Sequence, residues 1–267
     1  VIMDRIYWNT GQFVLGMYGG TAAIAVFAVA IQLSVLYMSF STSISGVFLP
    51  KVTAMVASQS DQKEISDLFI RTGRIQYIVM AFILSGFVVF GRPFIRLWAG
   101  AGYEDAYGIS LLFFISLTIP MIQNLGITIL QARNRMKFRS LLYLVIAFVS
   151  LYFQFVLAKQ YGGLGCAIAI SAALLIGQGL IMNVYYHRRQ GLDLILFWKE
   201  IGRMSVIPFI LGVSAFWLLR DAVWENWFQL GLGIGIYTLV YLPLFFHYSM
   251  NQTERNLFLT PFRKIRS

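Results

Sequence analysis

Asp4 and Arg5 are the residues most able to do chemistry, because they lie side by side in a stretch that is otherwise uncharged. A charge inside a membrane costs several kcal/mol unless it is paired or wet, which makes such residues functional candidates by default. Adjacent positions on a helix point about 100° apart, so the two are expected to face separate partners rather than only each other. Uncharged polar residues form the second set. Gln32, Ser39, Ser43, Gly46 and Pro50 fall within about 60° of one another on a helical wheel. Pro120, Asn124, Thr128 and Gln131 follow one another at i+3 or i+4, with Gln123 beside them, and Ser171 and Gln178 lie seven apart after a small-residue face of Gly163, Ala167 and Ser171. Each stripe, taken alone, serves equally as interhelical hydrogen-bonding glue. Three together point to a shared hydrophilic cavity.

Enzymatic patterns are not found. His187 and His247 fall at predicted helix ends, while Glu64, Glu104, Glu200, Glu225 and Glu254 lie in predicted loops or flanks. No HExxH, DxD, CxxC, P-loop or GxSxG occurs. The glycine-rich Ala99-Gly100-Ala101-Gly102-Tyr103 has no strand before it and no Lys-Ser/Thr after it, so it does not read as a phosphate loop. The expectation is no catalytic residue, no metal and no cofactor. Cys166, the lone cysteine, cannot form an intrachain disulfide.

Composition dictates what must hold these residues. Of 267 residues, 58% are hydrophobic and 12% charged, against about 25% charged in an ordinary soluble domain. A water-soluble globule is excluded. No charge occurs between Arg5 and Lys51, and further uncharged runs cover 75–91, 106–132, 140–158, 160–187, 204–219 and 226–253. About 20 helical residues span the roughly 30 Å of hydrocarbon, so the first run must fold back once, naturally at Gly16-Met17-Tyr18-Gly19-Gly20. The fold class is therefore all-α, a polytopic membrane bundle of about eight helices at 1–16, 21–50, 75–91, 106–132, 140–158, 162–187, 204–219 and 227–248. Asp4 and Arg5 then lie about 18–23 Å from the glycine break, at or past mid-membrane.

The net charge of +10 is distributed alternately along the loops. Sixteen Lys and Arg fall on one side: Lys51, Lys63, Arg71 and Arg74; Arg133, Arg135, Lys137 and Arg139; Arg188, Arg189, Lys199 and Arg203; and Arg255, Arg263, Lys264 and Arg266. Four fall on the other: Arg92, Arg96, Lys159 and Arg220. The positive-inside rule puts the rich side, and the C-terminus, in the cytoplasm. These clusters read as topology determinants and contacts to anionic lipids, not as a nucleic-acid site. Ser58 before Asp61 is expected to start a surface helix with Ile65, Leu68 and Phe69 on one face, and 192–203 reads similarly; both are expected to lie on the cytoplasmic interface. Residue 1 is Val, and the first helix begins too close to Asp4 to start in the cytoplasm, so the chain is expected to be truncated at its N-terminus.

Four stretches resemble the oligosaccharide flippases of the multidrug, oligosaccharidyl-lipid and polysaccharide exporter superfamily. They are Asp4-Arg5 with Phe13-Val14-Leu15-Gly16-Met17-Tyr18-Gly19-Gly20 and Ala25–Ala30; Pro50 closing the next helix; Gly91-Arg92-Pro93-Phe94-Ile95-Arg96-Leu97-Trp98-Ala99-Gly100 with Tyr103-Glu104-Asp105-Ala106; and the pair Gln131–Lys137 and Tyr161–Ala169. Each is degenerate, but their order and spacing run over essentially the whole chain. The resemblance implies helices seven to fourteen of a MATE-like two-lobe fold, with a six-helix C-terminal lobe at 1–187 and two additional helices plus a basic tail at 188–267. The N-terminal six-helix lobe would be missing.

The resemblance further implies a bacterial inner-membrane transporter that moves undecaprenyl-pyrophosphate-linked oligosaccharide from the cytoplasmic to the periplasmic leaflet, with a polysaccharide polymerase as a further partner. Arg5 would face the pyrophosphate, and Asp4 would orient it or serve ion coupling. Gln32, Ser39, Ser43, Asn124, Thr128 and Gln178 would line the sugar cavity. The rival within the superfamily is a multidrug or cation exporter, which would want more acidic residues than Asp4 in the cavity. A membrane glycosyltransferase or acyltransferase would want a catalytic Asp, Glu or His at a membrane mouth and long outer loops. An orphan half acting as a scaffold, or without function, is the third alternative.

Overall fold

The computed structural model describes residues 2–18, 20–58 and 60–257, with side chains from Thr10 onward. Every regular element among them is helical. In order they are α1 (Ile2–Tyr18), α2 (Gly20–Ala57), α3 (Gln62–Trp98), a short turn of 3₁₀ helix (Ala101–Tyr103), α4 (Ala106–Ile122), α5 (Asn124–Ala132), α6 (Lys137–Leu174), a π-helical segment (Leu175–Ile181), α7 (Met182–Gln190), α8 (Leu194–Leu219) and α9 (Trp227–Tyr248). Five helical stretches are each long and apolar enough to cross a membrane, and α4 with α5, bent by 40°, makes a sixth. The chain is a multi-pass membrane bundle.

One of those five stretches, Lys137–Gln190, would be a rod of about 80 Å if straight, far longer than a bilayer is thick. It is instead a hairpin. Gly162 turns the chain with φ 54° and ψ −131°, a region open to glycine. On either side the two legs pack antiparallel: a Cβ on Gly165 would lie 2.2 Å from the Leu157 carbonyl oxygen, Gly177 abuts Ile146, and Phe138 stacks on Tyr185 at 4.2 Å. Counting both legs, seven stretches can cross, and the 17-residue α1, packed on α6, falls where the first of the eight expected helices was placed.

Helix ends follow local chemistry. Asp61 caps α3 by accepting from the Lys63 amide, so the cap is Asp61 rather than the expected Ser58. Asp193 and Asn226 cap α8 and α9 by accepting from the amides of Leu196 and Gln229. The fourth span, with Pro120 in its last turn before the break, bends at Gln123, and the Met121 carbonyl accepts both the Gln123 amide and, at 2.7 Å, the Ser41 hydroxyl of α2.

Three expectations are corrected. The stretch with Ile65, Leu68 and Phe69 is not an interfacial helix but the first turns of α3, and 192–203 is continuous with the membrane part of α8. Their apolar faces meet each other instead of the lipid surface: Phe69 packs on Phe197 at 5.1 Å, and Ile65, Leu68 and Phe69 are all buried. Pro50 likewise does not close α2, which runs on to Ala57. At about 57 Å, α2 is longer than the hydrocarbon is thick and must extend beyond it.

The bundle packs α2 against α4 and α5, α3 against α4 and α8, and α1 against α6; α9 lies on α3 and α8. Aromatic rings fill the middle, with Tyr37 stacked on Phe114 at 4.2 Å and Phe87 between Phe114 and Tyr107. The basic loops gather at one end. There Arg133 donates to Gln62 Oε1 at 2.7 Å and to the Gln190 carbonyl at 3.0 Å, tying the starts of α3 and α6 to the end of α7. Burial lowers the pKa of the Arg133 guanidinium from its usual value, with Arg135 adding to the effect, but arginine stays charged at any physiological pH.

Candidate functional site

The proposed cavity residues fall into three groups. Asp4 and Arg5 lie in the backbone of α1, but their side chains are outside the described residues. Gln32, Ser39 and Ser43 are exposed on one face of α2, directly opposite the face carrying Ala30, Ser34, Tyr37, Ser41 and Ser45 that packs into the bundle. Their hydroxyls turn back onto their own helix, Ser39 donating to the Leu36 carbonyl at 2.6 Å and Ser43 to that of Ser39 at 2.8 Å. Asn124, Thr128 and Gln178 form the third group, half-buried to buried inside the bundle. The described residues therefore do not bring the α2 stripe and the α5 and π-segment residues into one cavity.

Inside the bundle, polar residues pair across helices. Ser116 of α4 donates to Ser171 of α6 at 3.3 Å. Gln123 donates to Asn183 Oδ1 at 2.8 Å, and the Trp198 indole donates to the same oxygen at 2.7 Å. Asn183 Nδ2 in turn donates to the Gly179 carbonyl, a backbone group made accessible by the π-helical segment. Gln76 of α3 donates to both Ser41 Oγ at 3.0 Å and Ser45 Oγ at 2.6 Å, while Tyr37 and Thr118 share a hydrogen bond of 2.7 Å. These are the contacts by which membrane helices associate without a hydrophobic driving force. Gln178 differs, because its Nε2 is buried with no acceptor among the described residues.

Sequence reading missed a charged cluster. Arg74, counted from sequence among the loop charges of the basic side, is 4% exposed and held by two carboxylates. Its Nε donates to Glu254 Oε1 at 2.6 Å and its Nη2 to Glu254 Oε2 at 2.9 Å, while Nη1 contacts Glu200. Glu254 also accepts from the Asn251 amide, so the segment after α9 is locked onto α3 and α8. No local spacing signals residues so far apart. A bidentate guanidinium–carboxylate pair of this kind holds position and does not present a charge to a ligand.

The end opposite the basic loops carries a cavity of about 900 Å³, formed where the start of α2, the loop before α4 and the Gly162 turn come together. A second polar hollow beside it is bounded by the loop between α8 and α9. The four basic residues of the sparse loops thus collect at this end, as the alternation in sequence requires: Arg92, Arg96 and Arg220 line the two hollows, and Lys159 sits over the Tyr18 ring at 5.5 Å.

With the bundle, the α2 stripe and this second end in view, comparison with known proteins adds one similarity. Residues 1–108 match the model of the polysaccharide biosynthesis protein family. The match takes in α1, α2, α3 and the loop into α4, and so contains Asp4-Arg5, the α2 stripe and the Gly91–Gly100 stretch. It is consistent with the flippase resemblance carried by those residues. No curated protein and no solved structure matches the chain. The chain is thus a multi-pass membrane protein whose first 108 residues are similar to polysaccharide biosynthesis proteins.

Proposed function

We propose that this chain is part of a transporter that carries lipid-linked oligosaccharide across the bacterial inner membrane, from the cytoplasmic to the periplasmic leaflet. The observation that carries the reading is the family match to residues 1–108, falling on a membrane-helix bundle whose matched part bears a one-sided polar stripe. The basic end is taken as cytoplasmic, which leaves the 900 Å³ cavity on the periplasmic side.

On this reading Arg5 faces the pyrophosphate of the carrier, with Asp4 beside it. The outward face of α2, with Gln32, Ser39 and Ser43, is turned to a wet path shared with the other lobe of a two-lobe transporter, where sugar hydroxyls find donors and acceptors. Asn124, Thr128 and Gln178 lie inside this lobe, apart from that face, and the buried Gln178 amide offers a donor that the described residues do not use. The membrane potential favours moving an anion outward by about 2.3 kcal/mol per charge per 100 mV, so transport does not demand strong ion coupling.

The test is deletion of the full-length gene in its host under conditions where the glycan is made, with an impermeant periplasmic probe for lipid-linked oligosaccharide. Accumulation in the inner leaflet with loss of surface glycan is expected. Normal surface glycan would overturn the reading, and a change in drug or cation tolerance alone would assign the chain to the multidrug branch instead.

A further inference from the structure

The cavity at the end opposite the basic loops contains side chains whose hydrogen-bonding and stacking capacity the protein does not use. Arg92 lies with its guanidinium 5.1 Å from the centre of the Tyr107 ring, and among the described residues its N–H groups donate to no acceptor. Asp105 precedes α4 but makes no capping hydrogen bond, leaving both carboxylate oxygens open. Glu104 has only a long contact, 3.9 Å, to Arg96, in a pair more than half exposed on both sides. The Tyr161 ring is 57% exposed at the rim. Between these side chains the wall is low, because the turn of the α6 hairpin supplies Gly162 and Gly163.

We infer that this cavity is a vestibule that binds the sugar portion of the substrate, a neutral or amino-bearing glycan, as it emerges from the membrane; the inference rests on the transport reading above. At about 900 Å³ it lies in the range of ligand pockets, about 300–1,000 Å³, and its lining sets one open aromatic ring, Tyr161, among charged hydrogen-bonding groups. That mixture matches a saccharide, whose ring faces are apolar and whose rim is hydroxyls that both donate and accept. Arg92 donates to hydroxyl oxygens, and Asp105 and Glu104 accept from hydroxyl hydrogens in charge-assisted bonds. Glu104 has Arg96 at 3.9 Å, but Asp105 pairs with no cation among the described residues and so disfavours phosphate and acidic sugars on its side of the cavity. An acyl chain is disfavoured by the same charges, and no cluster among the described residues could hold a metal ion. The three walls come from the start of α2, the α3–α4 loop and the α6 hairpin, so a glycan here bridges elements that a moving bundle would shift relative to one another.

The experiment is a binding titration of the full chain in nanodiscs, using the repeat-unit oligosaccharide released from the host's own surface polysaccharide as free sugar and read by saturation-transfer NMR. Binding is expected, about tenfold weaker in Tyr161→Ala, Asp105→Asn and Arg92→Gln, and unchanged in Asp221→Asn in the neighbouring hollow. A neutral hexose oligomer should bind better than its uronic-acid counterpart. Failure of the wild-type chain to bind sugar, or equal binding by all variants, would overturn the vestibule. The assay does not use transport, so it separates from the leaflet test: sugar binding lost in the variants alongside normal export in the deletion strain would sink the transport reading and leave the sugar site standing.

Discussion

Arg74 and Glu254 are 180 positions apart in the chain and joined side by side in the fold, with two N–H groups of the guanidinium on the two oxygens of one carboxylate. Glu254 is 1% exposed, so it has no water to fall back on. Removing one partner of a buried pair leaves an uncompensated charge, at a cost of about 3–5 kcal/mol. Arg74→Ala is therefore expected to melt well below the wild type in detergent, and Glu254→Ala to free the segment after α9 for proteolysis. Arg74→Lys should recover only part of the loss, because an ammonium cannot make the paired contact. An unchanged melting midpoint in Arg74→Ala would contradict the clamp.

The α6 hairpin gives a distance prediction. If Lys137–Gln190 were one straight helix, residues 138 and 185 would stand about 70 Å apart. Their rings are stacked at 4.2 Å. Cysteines placed at Phe138 and Tyr185, in a background with Cys166→Ser, are expected to crosslink under mild oxidation, while cysteines at Phe138 and Leu164 should not. No crosslink at the first pair would overturn the hairpin.

Close approach at the top of that hairpin should also be visible in stability. A methyl on Gly165 would meet the Leu157 carbonyl at 2.2 Å, a backbone contact that no side-chain rotation relieves. Gly165→Ala is expected to cost at least the 1–3 kcal/mol typical of overpacking. Gly46, on the outer face of α2 with open space around it, is the contrast: Gly46→Ala should leave stability unchanged or raise it by up to about 1 kcal/mol through helix propensity. Thermal unfolding of both variants in the same detergent compares the two.

How much of this was readable beforehand follows from what each signal encodes. Charge-free runs and glycines mark where a chain must turn, so the Gly162 turn and the two ends of the bundle were legible. An apolar stripe at helical period states that a face is covered but not by what. Ile65, Leu68 and Phe69 therefore looked like a helix lying on lipid, when Phe197 of α8 covers them. The polar stripes carried the same ambiguity. Gln32, Ser39 and Ser43 do share one open face of α2, whereas the α4 and α6 positions Gln123 and Ser171 are taken up by Asn183 and Ser116. Arg74 with Glu254, and the cavity edged by Arg92 and Tyr161, join residues too far apart for any local pattern to connect.

The two sides of α2 supply the test of whether its stripe faces a wet path. Two residues along a helix is about 200° around it, so Ser39 and Ser43 alternate with Ser41 and Ser45 between opposite faces. Ser41 is bonded to the Met121 carbonyl and both Ser41 and Ser45 to Gln76, all buried, while Ser39 and Ser43 bond only their own helix. In the full-length protein in membranes, cysteines at 39 and 43 are expected to react with a hydrophilic maleimide and those at 41 and 45 to stay unmodified. Burial of the stripe in lipid would protect all four, since the reagent and the thiolate it needs are both excluded from hydrocarbon. That outcome would remove Gln32, Ser39 and Ser43 from the sugar path while leaving the packing of α2 against α3 and α4 as described.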